Sequence, residues 1–159
     1  MAALLTGSSP ANAAVGDFTC TTSAQITHSP GLLLQPRMQH QTFDVGYSNC
    51  VSTSQPTITS GTRSGSTDAV SSCLDLPYTG PATNTITWNT GQSSTFVGTM
   101  TLQFIAGQTV FTWTGTITSG LFTGAGFTEV LSQNSLNLLA CAIPPGVTSQ
   151  TGVGTLISS

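Results

Sequence analysis

The chain has 159 residues, of which two are Lys or Arg and five are Asp or Glu, for a net charge of −3. Ordinary soluble domains are about 25% charged and this one is 4%. The basic residues are Arg37 and Arg63 and there is no lysine, so the electrostatic footprint of nucleic-acid binding is missing, as is that of adhesion to anionic lipid. Threonine and serine make up nearly a third of the residues and keep the surface in water in place of charge. The length is that of one domain with a core of its own. No apolar run approaches the roughly 20 residues a membrane helix needs, so no membrane insertion is expected.

Residues 1–13 read as the remnant of a secretory signal peptide. Ala11-Asn12-Ala13 is an A-x-A cleavage site behind a short apolar stretch and Pro10, although a basic region and most of an apolar region are missing. Residues 14–159 then form a single domain. From Phe18 onward a period of two dominates. Phe18, Cys20, Ala24 and Ile26 share one phase of a first strand, which the pattern ends at His28-Ser29-Pro30-Gly31. Leu32 to Leu34 form a short apolar plug, and Phe43, Val45 and Tyr47 mark a second strand ending at Cys50. The Ser/Thr/Gly-rich stretch from Ser52 to Ser72 holds one or two edge strands.

Asn84, Ile86 and Trp88 alternate with threonines up to a turn at Asn89-Thr90-Gly91, and Phe96, Gly98, Met100, Leu102 and Phe104 alternate on the next strand. Ala106-Gly107-Gln108 turns into a strand carrying Phe111, Trp113 and Ile117, and two more strands lie near Gly126–Gln133 and Val147–Ile157. Leu136–Ala140 is a helical turn or a strand, followed by a Pro144-Pro145-Gly146 corner. Short strands with turns every ten or so residues predict an all-β, two-sheet β-sandwich, immunoglobulin-like in shape, with a small β-barrel as the runner-up. Trp88 and Trp113 fall on inward phases and are expected in the core.

Four cysteines, Cys20, Cys50, Cys73 and Cys141, fit export and two disulfides, and none of their spacings is that of a zinc site. Three pairings are possible. The expected one joins Cys50 to Cys73 across the Ser/Thr-rich excursion and Cys20 to Cys141 between the first strand and the C-terminal region.

Motifs for chemistry are absent from the sequence. His28 and His40 are the possible bases for a nucleophile, neither beside a motif, and no G-x-S-x-G elbow occurs. Asp17, Asp44, Asp68, Asp75 and Glu129 stand singly, without the context of a glycosidase pair or a calcium loop. No cofactor fingerprint exists, and the expectation is a protein that is not an enzyme and has no cofactor. What remains is surface. Thr112, Thr114, Thr116 and Thr118 form an outward ladder beside Thr83/Thr85/Thr87 and Thr99/Thr101, and Tyr78 is the aromatic best placed to be exposed. These five, Tyr78 and the four-threonine ladder, are the candidate binding surface, although threonine is also the natural filler of a solvated strand.

The segments Thr87-Trp88-Asn89-Thr90-Gly91-Gln92-Ser93-Ser94-Thr95-Phe96 and Leu138-Leu139-Ala140-Cys141 resemble those of small secreted Thr/Ser-rich β-proteins of Streptomyces and related actinomycetes. Pro56–Gly61 and Thr118–Phe122 agree with this. The resemblance spans nearly the whole mature chain and implies export, two disulfides and a β-rich fold. It carries no catalytic residues. The functional expectation is a secreted accessory of the cell envelope or of an exported complex that recognises a protein partner by its surface. A glycan or cell-wall binder using exposed aromatics is the first alternative and an enzyme with an unrecognised site the second.

Overall fold

The computed structural model describes residues 17–74, 78–105, 108–134, 136 and 138–158. The strands are β1 (Phe18–Leu32), β2 (Arg37–Ser52), β3 (Gly61–Ser71), β4 (Tyr78–Trp88), β5 (Ser93–Ile105), β6 (Gln108–Gly120), β7 (Gly126–Gln133) and β8 (Val147–Ser158), with a short helix α1 (Leu138–Ala142) before the last. All are antiparallel to their neighbours in sequence, and β8 returns to pair with β1, from Thr19–Ile157 to Thr27–Ser149. The sheet is therefore a closed eight-strand meander barrel.

This overturns the two-sheet, immunoglobulin-like sandwich and fits the runner-up. Alternation shows which side chains point inward; it does not show whether the inward faces belong to two sheets or to one that closes. Strand length carries that information, and the sequence understated it. β1 has 15 residues and β2 has 16, well beyond the roughly 5–6 typical of strands. β1 continues through Pro30 because its regular pairing with β8 has already ended at Thr27, so the missing N–H interrupts no ladder there. Closure also demands curvature. Gly98 and Gly115 face each other across β5 and β6, and a Cβ on Gly98 would come within 1.9 Å of the Thr114 carbonyl oxygen. Only glycine admits that approach.

The seam between β3 and β4 is the exception to full pairing. Among the described residues these strands bond at two positions, Gly61–Trp88 and Thr62–Thr87, and then diverge. Thr67 and Ala69, inward by phase on β3, are consequently exposed.

The two ends of the barrel differ. At one end Phe18, Trp88 and Phe122 pack ring on ring, at 4.5 Å for Phe18–Phe122 and 5.7 Å for Trp88–Phe122. Just inside lies a second group, Phe96, Trp113 and Phe127, with centroids 4.7–5.8 Å apart. Trp88 and Trp113 are thus core residues, as their phase predicted. The β2–β3 connection folds over this end, burying Ile58, while Asn89 accepts the Thr59 N–H and donates to the Thr57 carbonyl. The Trp88 indole N–H is satisfied by Ser94 Oγ at 2.8 Å. We call this the closed end.

The disulfides are Cys20–Cys50 and Cys73–Cys141. The expected Cys50–Cys73 and Cys20–Cys141 bonds are both wrong. Cys20 lies on β1 beside β2, so its partner is the cysteine near the end of the adjacent strand, Cys50. Cys73 follows β3 at the opposite end of the barrel from Cys50, out of reach. There it meets Cys141 of α1, and the two sulfurs pack with Leu32, Leu136 and Val147 into a small second core. Leu136–Ala140 resolves in favour of the helical alternative, with α1 spanning Leu138–Ala142. The expected Ala106-Gly107 turn, Asp75 and the signal remnant at 1–13 lie outside the described residues.

Candidate functional site

The open end leads into a cavity of about 570 Å³. Its walls are mostly apolar, with Ile26, Phe43, Met100, Leu102, Phe111 and Leu131 contributing from five strands. Each stands on the inward phase of its strand, and all belong to the end where no aromatic plug fills the barrel. Phe43 leans across the wall because its cross-strand neighbour is Gly65; a Cβ there would lie 2.5 Å from the ring.

Besides Thr42, Thr67, Ser71 and Gln133, two hydrogen-bonded polar clusters interrupt the apolar lining. The deeper one forms the floor. Arg63 donates from Nη2 to Glu129 Oε2 at 2.9 Å and from Nε to the Tyr47 hydroxyl at 3.0 Å, and that hydroxyl donates to Glu129 Oε1 at 3.0 Å. Arg63 is 5% exposed and Glu129 is 0% exposed, so this is a fully desolvated ion pair. The guanidinium also lies over Trp113, 4.8 Å from the ring centroid, and 5.5 Å from that of Phe43. Burial pushes the Glu129 carboxyl above its usual range, while Arg63 and the Tyr47 hydrogen bond pull it back. Burial also raises the Tyr47 phenol. Such a pair adds little net stability over an apolar replacement but is costly to break from one side.

The second polar group lies in the wall nearer the mouth. Gln41 Nε2 lies 3.1 Å from His28 Nδ1, and His28 Nε2 lies 3.0 Å from Gln150 Oε1. An amide nitrogen donates and an amide oxygen accepts, so Nδ1 is the acceptor and Nε2 carries the hydrogen. The ring is thereby held neutral, and burial lowers its pKa below the usual value in agreement.

Tyr78, at the start of β4, lines the cavity at its mouth and is half exposed, its ring folded back over Gly80. Thr114, Thr116 and Thr118 are exposed and Thr112 is half-buried on the outer wall of β6, away from the cavity. Thr114 stands between Thr99 of β5 and Thr128 of β7, so the threonines do pair across strands, on a convex barrel wall. The structure therefore brings Tyr78 to the cavity and leaves the ladder outside it.

Arg63, Glu129, Tyr47, Gln41 and Gln150 were missed as site residues. The signal was present in β7, where Glu129 sits in phase with Phe127 and Leu131 on the buried face. A carboxylate on an apolar phase demands a buried partner. Among the described residues no group of three or more His, Cys, Asp or Glu is placed to hold a metal ion, and no helix is long and apolar enough to cross a membrane. All four cysteines are oxidised, which indicates an oxidising environment. Compared with protein-family models, with characterised proteins and with solved structures, the chain matches none of them.

Proposed function

We propose that this is a secreted, non-enzymatic binding protein that takes one small, largely apolar molecule into the open end of its barrel. The observation that carries this reading is the cavity of about 570 Å³, walled by apolar side chains and interrupted by a few fixed polar groups. Ligand sites generally fall between about 300 and 1,000 Å³ and have that lining. An eight-strand barrel has an interior wide enough either to be filled by side chains or to hold one small ligand. Here the closed half is filled and the open half is not. Two disulfides and a hydroxyl-rich, nearly uncharged exterior suit an exported protein.

The test is to recover the protein from culture medium and examine it by native mass spectrometry for a bound small molecule, with thermal shifts against a panel of apolar compounds. A ligand at 100 times its Kd raises stability by about 2.7 kcal/mol. Met100→Trp, which fills the cavity from its wall, should abolish both the bound mass and the shift. Identical ligand responses from parent and Met100→Trp would sink the proposal.

A second reading, surface recognition of an extracellular protein partner, draws on the apolar residues exposed around the mouth: Met38, Val70, Leu74, Tyr78 and Ile105. Met38 and Val70 are cross-strand neighbours, so they form one patch. Pull-down from culture supernatant with a Met38→Glu/Val70→Glu control tests it. The glycan alternative is left with Tyr78 among the described aromatics, since both tryptophans are buried.

A further inference from the structure

We propose that Arg63 is the ligand-anchoring residue of the cavity: its Nη1 donates to the carbonyl oxygen of an apolar molecule that enters head first. The apolar body then lies along Met100, Leu102, Phe111 and Leu131 toward the mouth. This rests on the binding-barrel reading and adds the anchor, the head group and the orientation.

The first observation is an unused edge of the guanidinium. Nε serves Tyr47 and Nη2 serves Glu129, while Nη1 has no hydrogen-bond partner among the described residues. Among those residues, the polar side-chain atoms both sealed from solvent and unpartnered are Thr22 Oγ1, Gln39 Oε1, Thr109 Oγ1, Trp113 Nε1 and Gln150 Nε2. Nη1 is not one of them, so it keeps contact with open space, and the space that Arg63 borders is the cavity. Its two bonds, with the Trp113 and Phe43 rings against it, hold the guanidinium plane still. Nη1 cannot swing to another partner without breaking them.

The second observation is position. β3 and β7 both run from the closed end toward the mouth, and Thr67, Ser71 and Gln133 lie farther along them than Arg63 and Glu129. Thr42 precedes Val45, the cross-strand neighbour of Arg63, on a strand that runs the other way, so it too lies nearer the mouth. Those polar groups flank a ligand higher up, and Arg63 is the donor at the bottom. Glu129 is 0% exposed with both oxygens engaged, so no carboxylate faces the cavity to take an ammonium. It also balances the guanidinium, so a carbonyl oxygen meets Nη1 without bringing a second anion to a dry floor. A hydrogen bond from a charged donor is about twice as strong as one between neutral groups. An apolar head would instead strip Nη1 of water and give nothing back.

The experiment uses the full disulfide-bonded protein and two volatile probes of equal chain length, methyl nonyl ketone and undecane, with binding read from headspace partition. Both should bind the parent, and Met100→Trp should abolish both. Arg63→Met/Glu129→Leu removes the donor and its counter-ion together and strands no buried charge. It should weaken the ketone at least about tenfold relative to the alkane, the scale of a lost hydrogen bond to a charged group. If both probes respond alike to that change, the anchor is overturned and the binding barrel stands. If the paired variant fails to fold, nuclear Overhauser contacts in the parent decide. The acetyl methyl of the ketone should lie against the Arg63 side chain and its tail methyl toward Tyr78; the reverse order would overturn the anchor. No binding of either probe by the parent, or binding indifferent to Met100→Trp, would overturn the anchor and the barrel reading together.

Discussion

At the closed end of the barrel, six aromatic rings, a folded-over connection and the Cys20–Cys50 bond leave no space. At the open end the same inward phases carry Ala24, Ile26, Met100, Leu102 and Leu131 with two separate rings, Phe43 and Phe111, and the space persists. The strands are continuous from one end to the other, so backbone geometry does not make the difference. Side-chain volume does. Eight strands enclose an interior that rings packed on one another fill and that mainly aliphatic chains with two separate rings do not. The Arg63–Glu129–Tyr47 cluster marks the boundary: behind it the barrel is a core, and in front of it a container.

That contrast can be broken most forcefully at the closed end. Trp88→Ala or Trp113→Ala should cost about 3–5 kcal/mol in chemical denaturation, as for other fully buried aromatics. Leu102→Ala, whose side chain already borders empty space and is half-buried, should cost about 1 kcal/mol, because fewer contacts and less area are lost. Equal losses at both positions would mean that the open half is packed in solution.

Glu129→Ala should also cost about 3–5 kcal/mol, since it leaves Arg63 charged and buried. A paired Arg63→Met/Glu129→Leu change should recover most of that loss. If the double variant is as unstable as the single, the cluster holds the floor by shape rather than by charge.

The disulfides give a smaller difference between the ends. Cys73–Cys141 spans 68 residues and Cys20–Cys50 spans 30, so chain entropy assigns them about 4.4 and 3.6 kcal/mol. Removing each pair by Cys→Ser should therefore lower stability slightly more at the open end. Non-reducing peptide mapping checks the connectivity itself.

A pH effect in the histidine range is expected at the open end. Burial holds His28 below 6.5, so the unfolded chain binds a proton at pH values where the folded chain does not. Its contribution to stability is complete above the unfolded pKa and is lost as pH falls from there toward the folded value. Denaturation at neutral pH and about one unit below the ordinary histidine value should show a decline that is smaller in His28→Gln. An unchanged slope in that variant would place the acid sensitivity elsewhere. The smallest effect is expected on the outer wall, where Thr114→Lys should shift stability by no more than about 0.5 kcal/mol and leave ligand affinity untouched.

Much of this was legible in the residues. Alternation gave the inward phase of Phe18, Ile86, Trp88, Trp113 and Ile117 and the turn at Asn89-Thr90-Gly91. Closure was not legible, because a sandwich and a barrel share the same period and differ in which edges meet. The cysteine pairing failed with it: choosing Cys50 for Cys20 requires knowing that β1 and β2 are long neighbours in register. The site was hidden for another reason. His28 and Gln41 are unremarkable polar residues on consecutive strands and Gln150 lies far along the sequence on the last one, and a cavity is a property of what the strands enclose. Glu129 on an apolar phase was the one local signal.

The partial β3–β4 seam places the barrel's weakest join inside the chain. The described residues that end the barrel in sequence, Phe18 and Ser158, sit side by side, with the Phe18 amide donating to Ser158 Oγ at 3.0 Å, and their strands are zipped together. The ring of strands is closed, and its least-paired join runs between the third and fourth strands. Joining β8 to β1 and opening the chain beyond β3 would yield a permuted sequence whose first and last strands were the sheet's true margins. In that ordering the barrel would be a sheet that curls until its margins touch at Gly61 and Trp88, with the slit beside them as the remnant of an unfinished join.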